Sequence, residues 1–179
     1  VYIIIIGMLG SVVGTGHRIK LVEIGSIIFV TAYIFVGFYS LYMLRSLSLF
    51  HVGYLLLTIW FTDSFAYIGG MKFGKNKLSP HISPNKSIEG SVIVSLSSIV
   101  IALLFFYTTN IFSSLLVAIA ITLVVSAVGQ FGDLIESAYK REYQVKDSSN
   151  LLPGHGGIFD RFDSVILSAP CLIILLSLF

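Results

Sequence analysis

Residues 114–137 read SLLVAIAITLVVSAVGQFGDLIES. The stretch opens as an apolar run fit for a membrane span, which takes about 20 such residues. It then closes on a carboxylate, Asp133. Ser114, Ala118, Thr122, Ser126, Gln130 and Asp133 recur at spacings of four and three, so on a helix they share one face. The face is small-sided first and polar later. Small residues let helices approach closely in lipid. A helix with this seam turns it inward and carries Asp133 into a bundle interior, where an ionisable group is costly and functional by default.

The rest of the chain fits that reading. Of 179 residues, 56% are hydrophobic and 11% charged, and mean hydropathy is +0.95. A soluble domain has about 25% charged residues, so the sequence predicts an integral membrane protein. Six candidate spans emerge, at 1–16, 21–44, 47–71, 90–109, 111–131 and 164–179, with TTN at 108–110 as a tight turn. The fold class is all-α, a polytopic transmembrane bundle. No signal peptide is evident, because the first stretch lacks a basic n-region. Cys171, the one cysteine, sits in an apolar run without a disulfide or metal partner and reads as a small buried side chain.

Six spans leave five loops that alternate sides. The first, third and fifth hold ten of the 11 Lys and Arg, and only Arg45 lies on the other face. The positive-inside rule puts those three loops in the cytoplasm and both termini outside. The two long polar segments, 71–90 and 129–163, therefore face one compartment and can converge on one site.

The segments differ in sign. Residues 129–163 hold ten of the 20 charged residues, six of them acidic, for a local net of −2. Residues 71–90 carry Lys72, Lys75, Lys77 and Lys86 against Glu89, a local net of +3. Carboxylates suit Mg²⁺, which takes one or two of them and completes its shell with water and phosphate. Zinc fits poorly, since the four histidines are scattered and no cysteine is near. Asp133 and Asp147 are the first metal candidates, with Asp160 and Asp163 in reserve. Asp63 is a second intramembrane carboxylate, sharing a helical face with Tyr67 and Gly70. It reads as a substrate or metal group, or as half of a structural ion pair. GGMKFGK (69–75) matches the start of a phosphate loop, but Asn76 follows where the hydroxyl is needed and no strand precedes it. The Walker reading is rejected. His155 in PGHGG either does chemistry or only organises its loop.

Ser137, Lys140, Arg141, Lys146, Asp147, Pro153, His155, Gly156, Gly157, Asp160, Arg161 and Asp163 stand at the spacing of a known signature. That signature is S-x-x-K-R, four residues, K-D, then P-x-H-G-G-x-x-D-R-x-D, and it resembles that of the phosphatidate cytidylyltransferases, or CDP-diglyceride synthetases. GKNKLSPHISPNKSIEG (74–90) resembles that family's conserved loop, with Ser79 and Ser87 where Ala and Thr are usual. DSFAY (63–67) and GDLIES (132–137) look like further family elements. The resemblance covers residues 60–170, so 60–179 is read as the catalytic transmembrane domain and 1–59 as N-terminal helices. Family members usually carry more N-terminal helices, so the chain looks short.

The resemblance implies CTP + phosphatidate → CDP-diacylglycerol + pyrophosphate in phospholipid biosynthesis, with Mg²⁺ and a second, monovalent or divalent, cation. The phosphate of phosphatidate is largely ionised at neutral pH, so no strong base is needed. The task is to position two polyanions and stabilise charge. Asp147, Lys146, Lys140, Arg141 and His155 are the implied catalytic group. Lys77, Lys86, Ser87, Asp63 and Arg161 are the implied substrate contacts, and Asp133, Asp147, Asp160 and Asp163 the metal ligands. The expected partners are CTP, phosphatidic acid, the bilayer and a second copy of the chain, with no nucleic acid. The expected location is the bacterial inner membrane, with the site facing the cytoplasm. Three other readings compete: a transporter whose loops gate a pathway, a non-catalytic relative, and a transferase acting on another lipid phosphate.

Overall fold

The computed structural model describes residues 21–73, 76–149, 151 and 156–179, with isolated positions at 6, 7, 10 and 14. The chain forms helix α1 (Leu21–Leu47), helix α2 (Leu49–Phe73), a two-stranded hairpin, β1 (Lys77–Ser79) and β2 (Ser83–Ser87), and four further helices. These are α3 (Ile88–Ser97), α4 (Ile99–Thr108), α5 (Leu115–Glu142) and α6 (Phe159–Leu178). Five described segments are long and apolar enough to cross a membrane: α1, α2, α3 with α4, α5 and α6. The chain is an integral membrane protein of mainly α-helical architecture. The sequence span at 1–16 lies outside the described residues, apart from those isolated positions.

The chain divides into two compact units, residues 1–36 and 37–179. Of the first, the start of α1 is described. The second holds a buried core that includes Leu44, Tyr54, Ile59, Phe105, Ile121 and Val165. The seam of α5 supplies much of its polar content. Ser114 caps the helix by accepting from the Val117 N–H at 3.3 Å. Thr122 shares a hydrogen bond of 2.6 Å with the Tyr54 hydroxyl, and Ser126 one of 3.1 Å with Thr62. Interhelical hydroxyl pairs of this kind pin helices where lipid gives no hydrophobic drive between them.

Two local features shape the bundle. Ser98 ends α3 and starts α4, and its hydroxyl donates to the Ser95 carbonyl at 2.7 Å. Such back-bonding bends a helix without ending the span. Pro170 lies inside α6 and offers no N–H to the Ile166 carbonyl one turn back. Gly37 packs there so closely that a Cβ would lie 2.7 Å from Ile166 Cα and 2.8 Å from its carbonyl oxygen.

Both polar segments are more ordered than loops. The stretch 71–90 is mostly the end of α2, the hairpin and the start of α3, while α5 runs on through the charged residues to Glu142. It stops in a Schellman-type turn. Gln144 is left-handed (φ 53°), its N–H donates to the Arg141 carbonyl at 3.1 Å, and the Val145 N–H to that of Lys140 at 2.9 Å. The connection between α5 and α6 is therefore residues 143–158, and part of the sequence's 129–163 segment belongs to the two helices. The division at 59/60 falls inside the continuous helix α2.

Candidate active site

The site forms where α5 passes α6 at the hairpin end of the bundle. Gly132 makes the crossing: a Cβ on it would lie 2.7 Å from the Asp163 carbonyl oxygen and 3.1 Å from Ser164 Cα. That close approach brings Asp133 and Glu136 of α5 together with Asp163 of α6. One oxygen from each lies within 4.8 Å of the others.

The three carboxylates are held differently. Asp133 forms an ion pair with Lys86 of β2 and accepts from the Ser137 hydroxyl at 3.4 Å. Asp163 accepts from the Ser164 N–H at 2.7 Å. Glu136 is 2% exposed. One of its oxygens meets Lys140 Nζ at 2.5 Å, and the other, Oε1, has no hydrogen-bond partner. A buried oxygen without a donor is costly. One oxygen of the same carboxylate belongs to the cluster with Asp133 and Asp163, whose shared negative charge a cation would neutralise. Mg²⁺ takes oxygen ligands, usually one or two carboxylates with water and phosphate, and this cluster can supply them, so these residues fit a hard divalent ion.

Asp160 stands one turn before Asp163 and has another task. It accepts from Lys140 Nζ at 3.0 Å, the Ser148 N–H at 2.9 Å, the Ser148 hydroxyl at 2.6 Å and the Gly157 N–H at 2.7 Å. It thus fastens the α5–α6 connection at both ends. Gly156 takes a left-handed conformation (φ 78°), and a Cβ there would lie 2.8 Å from the same carboxylate.

The remaining predicted residues spread around this centre. Asp63, exposed on α2, is within electrostatic reach of Asp133, Asp163 and Lys86. Lys146 and Asp147 lie exposed in the connection, Asp147 beside Gly156. Arg141 donates from Nε to the Ile82 carbonyl at 3.4 Å, joining the end of α5 to the hairpin. Lys77 is exposed on β1 and Arg161 on α6. Ser87 is buried as the N-cap of α3, accepting from the Gly90 N–H at 3.2 Å. His155 and Lys75 lie outside the described residues. The lysine-rich and acid-rich segments do meet, through Lys86 with Asp133 and Arg141 with Ile82.

Glu136 is the residue that the sequence reading did not single out. Its signal was present: it stands three residues after Asp133, on the same helical face.

The full chain, residues 1–179, matches the model of the cytidylyltransferase family. A protein named phosphatidate cytidylyltransferase in Staphylococcus aureus is 41% identical over 160 residues, 89% of this chain and 62% of the relative. One of the same name in Staphylococcus saprophyticus is 41% identical over 169 residues, 94% of this chain and 65% of the relative. A third, in Staphylococcus epidermidis, is 42% identical over 160 residues, or 89% and 62%. The chain thus spans less than two thirds of the length of these curated relatives. With a family model matched from end to end, the chain belongs to the cytidylyltransferase family.

Proposed function

We propose that this protein transfers the cytidylyl group of CTP to phosphatidate, forming CDP-diacylglycerol and releasing pyrophosphate. The observation that carries the reading is the cluster of Asp133, Glu136 and Asp163, flanked by Lys86 and Lys140, in a chain whose relatives bear that name. A phosphate oxygen of phosphatidate attacks the α-phosphorus of CTP, and the bond from that phosphorus to the bridging oxygen breaks. The attacking oxygen is already largely anionic at neutral pH. The chain therefore has to position and shield charge more than to move protons.

Asp133, Glu136 and Asp163 would supply the one or two carboxylates that hold Mg²⁺, water and phosphate completing its shell, with Asp147 on the adjoining connection as a candidate donor. Bound there, the ion supplies charge neutralisation for the triphosphate and its leaving group. Lys86 and Lys140 keep the carboxylates together and present ammonium groups to phosphate. Arg141, Lys146, Lys77 and Arg161 add cations around the entrance, the arginines suited to bidentate phosphate contact. Asp63 lies within electrostatic reach of the cluster, and Ser87 follows Lys86 in β2. We assign this face to the cytoplasm and the protein to the bacterial inner membrane; the bias of ten of 11 Lys and Arg to one set of loops supports the assignment.

Membranes carrying the protein should convert radiolabelled CTP and phosphatidate to labelled CDP-diacylglycerol in Mg²⁺ and stop in excess chelator. Full turnover in chelator sinks the metal assignment. Absence of transfer to phosphatidate in Mg²⁺ sinks the reaction.

A further inference from the structure

A cavity lies on the side of α5 turned toward α3 and the hairpin. It has a volume of about 710 Å³ and is lined mainly by apolar side chains, among them Leu78, Ile82, Val92, Phe131 and Leu134. That volume is in the range of small-molecule sites. Its one amide, Gln130, is turned into the wall, donating to the Ser95 hydroxyl at 3.0 Å and weakly to the Ser91 carbonyl at 3.5 Å. The groove thus offers a ligand little beyond hydrocarbon.

Its ends are unlike. Along α5 it runs from Ala127 to Ala138, roughly 16 Å at 1.5 Å per residue. That is close to half of the ~30 Å hydrocarbon core of a bilayer. A neighbouring transmembrane helix would call for a trough across both leaflets, whereas this one serves a single leaflet. At the hairpin end stands Arg141, one turn beyond Ala138, bonded to the carbonyl of the lining residue Ile82. An apolar trough one leaflet deep, with a guanidinium at its polar end, complements an amphiphile with an anionic head. Asp133, on the same stretch of α5, belongs to the acid cluster.

We propose that this groove seats one acyl chain of the lipid substrate, with the lipid phosphate drawn to the Arg141 end. The inference rests on the reading above for the identity of that lipid. It adds where the tail lies and which residues measure its length. Ala127 sets the deep end, so a long chain reaches it and a short chain does not.

Phosphatidate carrying a photoreactive diazirine on one acyl chain tests the placement in membranes containing the wild-type protein. Adducts should concentrate on Val92, Leu96, Phe131 and Leu134, in excess over those from phosphatidylcholine bearing the same probe. Adducts mainly on other helices, or equal labelling by both lipids, overturn the proposal. Labelling needs no turnover, so an inactive wild-type protein would remove the reaction and leave this result readable. In the active protein, Ala127→Trp should raise KM for dioleoyl phosphatidate ~10-fold or more, by excluding several methylenes, and that for dihexanoyl phosphatidate less than ~2-fold. An equal change for both lipids also overturns it. If the variant does not fold, the labelling pattern decides.

Discussion

Asp160 and Asp163 are three residues apart on α6, yet their surroundings divide their roles. Asp160 accepts from Lys140, Ser148 and Gly157, so its charge organises the connection between α5 and α6. Asp163 faces Asp133 and Glu136. In Asp160→Asn, an amide N–H opposes donors, and trypsin should cut after Lys146 several-fold faster while the Mg²⁺ requirement is unchanged. In Asp163→Asn, the Mg²⁺ concentration for half-maximal rate should rise ~10-fold or more, as even indirect ligand-shell changes cost that much. A reversed pattern would exchange the two assignments. Lys140 bridges the centre and the clasp, contacting Glu136 and Asp160. Lys140→Met leaves buried Glu136 without its counter-ion and should cost on the order of 3 kcal/mol, read as a lower melting temperature in detergent. Adding Glu136→Gln to it should restore part of that loss, since the pair is coupled.

At the level of elements, the crossing of α5 and α6 sets the spacing of the carboxylates, and Gly132 sets the crossing. Gly132→Ala should destabilise by about 1–3 kcal/mol through overpacking against backbone, and should lower activity more than stability accounts for. Gly53→Ala is the control, because a Cβ there meets only Phe105 at 4.0 Å. If both variants kept wild-type turnover, the crossing would not govern the site. The seam of α5 was legible because its period of three to four residues carries Thr122, Ser126 and Gln130 to one inward face. The hairpin was not: SPNKS (83–87) lacks the alternating apolar pattern of a strand, and its pairing depends on β1 and the helix that Ser87 caps. Membership of the carboxylate cluster was half legible. Spacing along one helix relates Asp133 to Glu136, but which acid of α6 meets them depends on how two helices cross, which their separate periodicities leave open.

At the largest scale, the charged residues of the candidate site gather at one end of the unit formed by residues 37–179. Lys86 of the hairpin, Asp133 of α5 and the 143–158 connection all belong to that end, while the turn at 109–114 lies at the other end of α5. Single cysteines should report this in a Cys171→Ala background. A membrane-impermeant maleimide applied from the cytoplasmic side should modify Ser149→Cys and spare Asn110→Cys, and the reverse from outside. Labelling of both from one side would contradict the positive-inside assignment.

The pairing of lysines with acids also bears on biogenesis. A ribosome delivers β2 before α5, and α5 before α6. Asp133 therefore emerges after Lys86, its counter-ion, already exists. Glu136 is followed within one helical turn by Lys140, and Asp160 arrives when Lys140 and Ser148 are already there to receive it. Of the three clustered carboxylates, Asp163 is the last to be made, and it accepts from the N–H of the very next residue, Ser164. The nascent chain thus reaches the bilayer with Asp133, Glu136 and Asp160 each escorted or about to be. The electrostatic penalty of inserting charged helices is thereby divided into small steps.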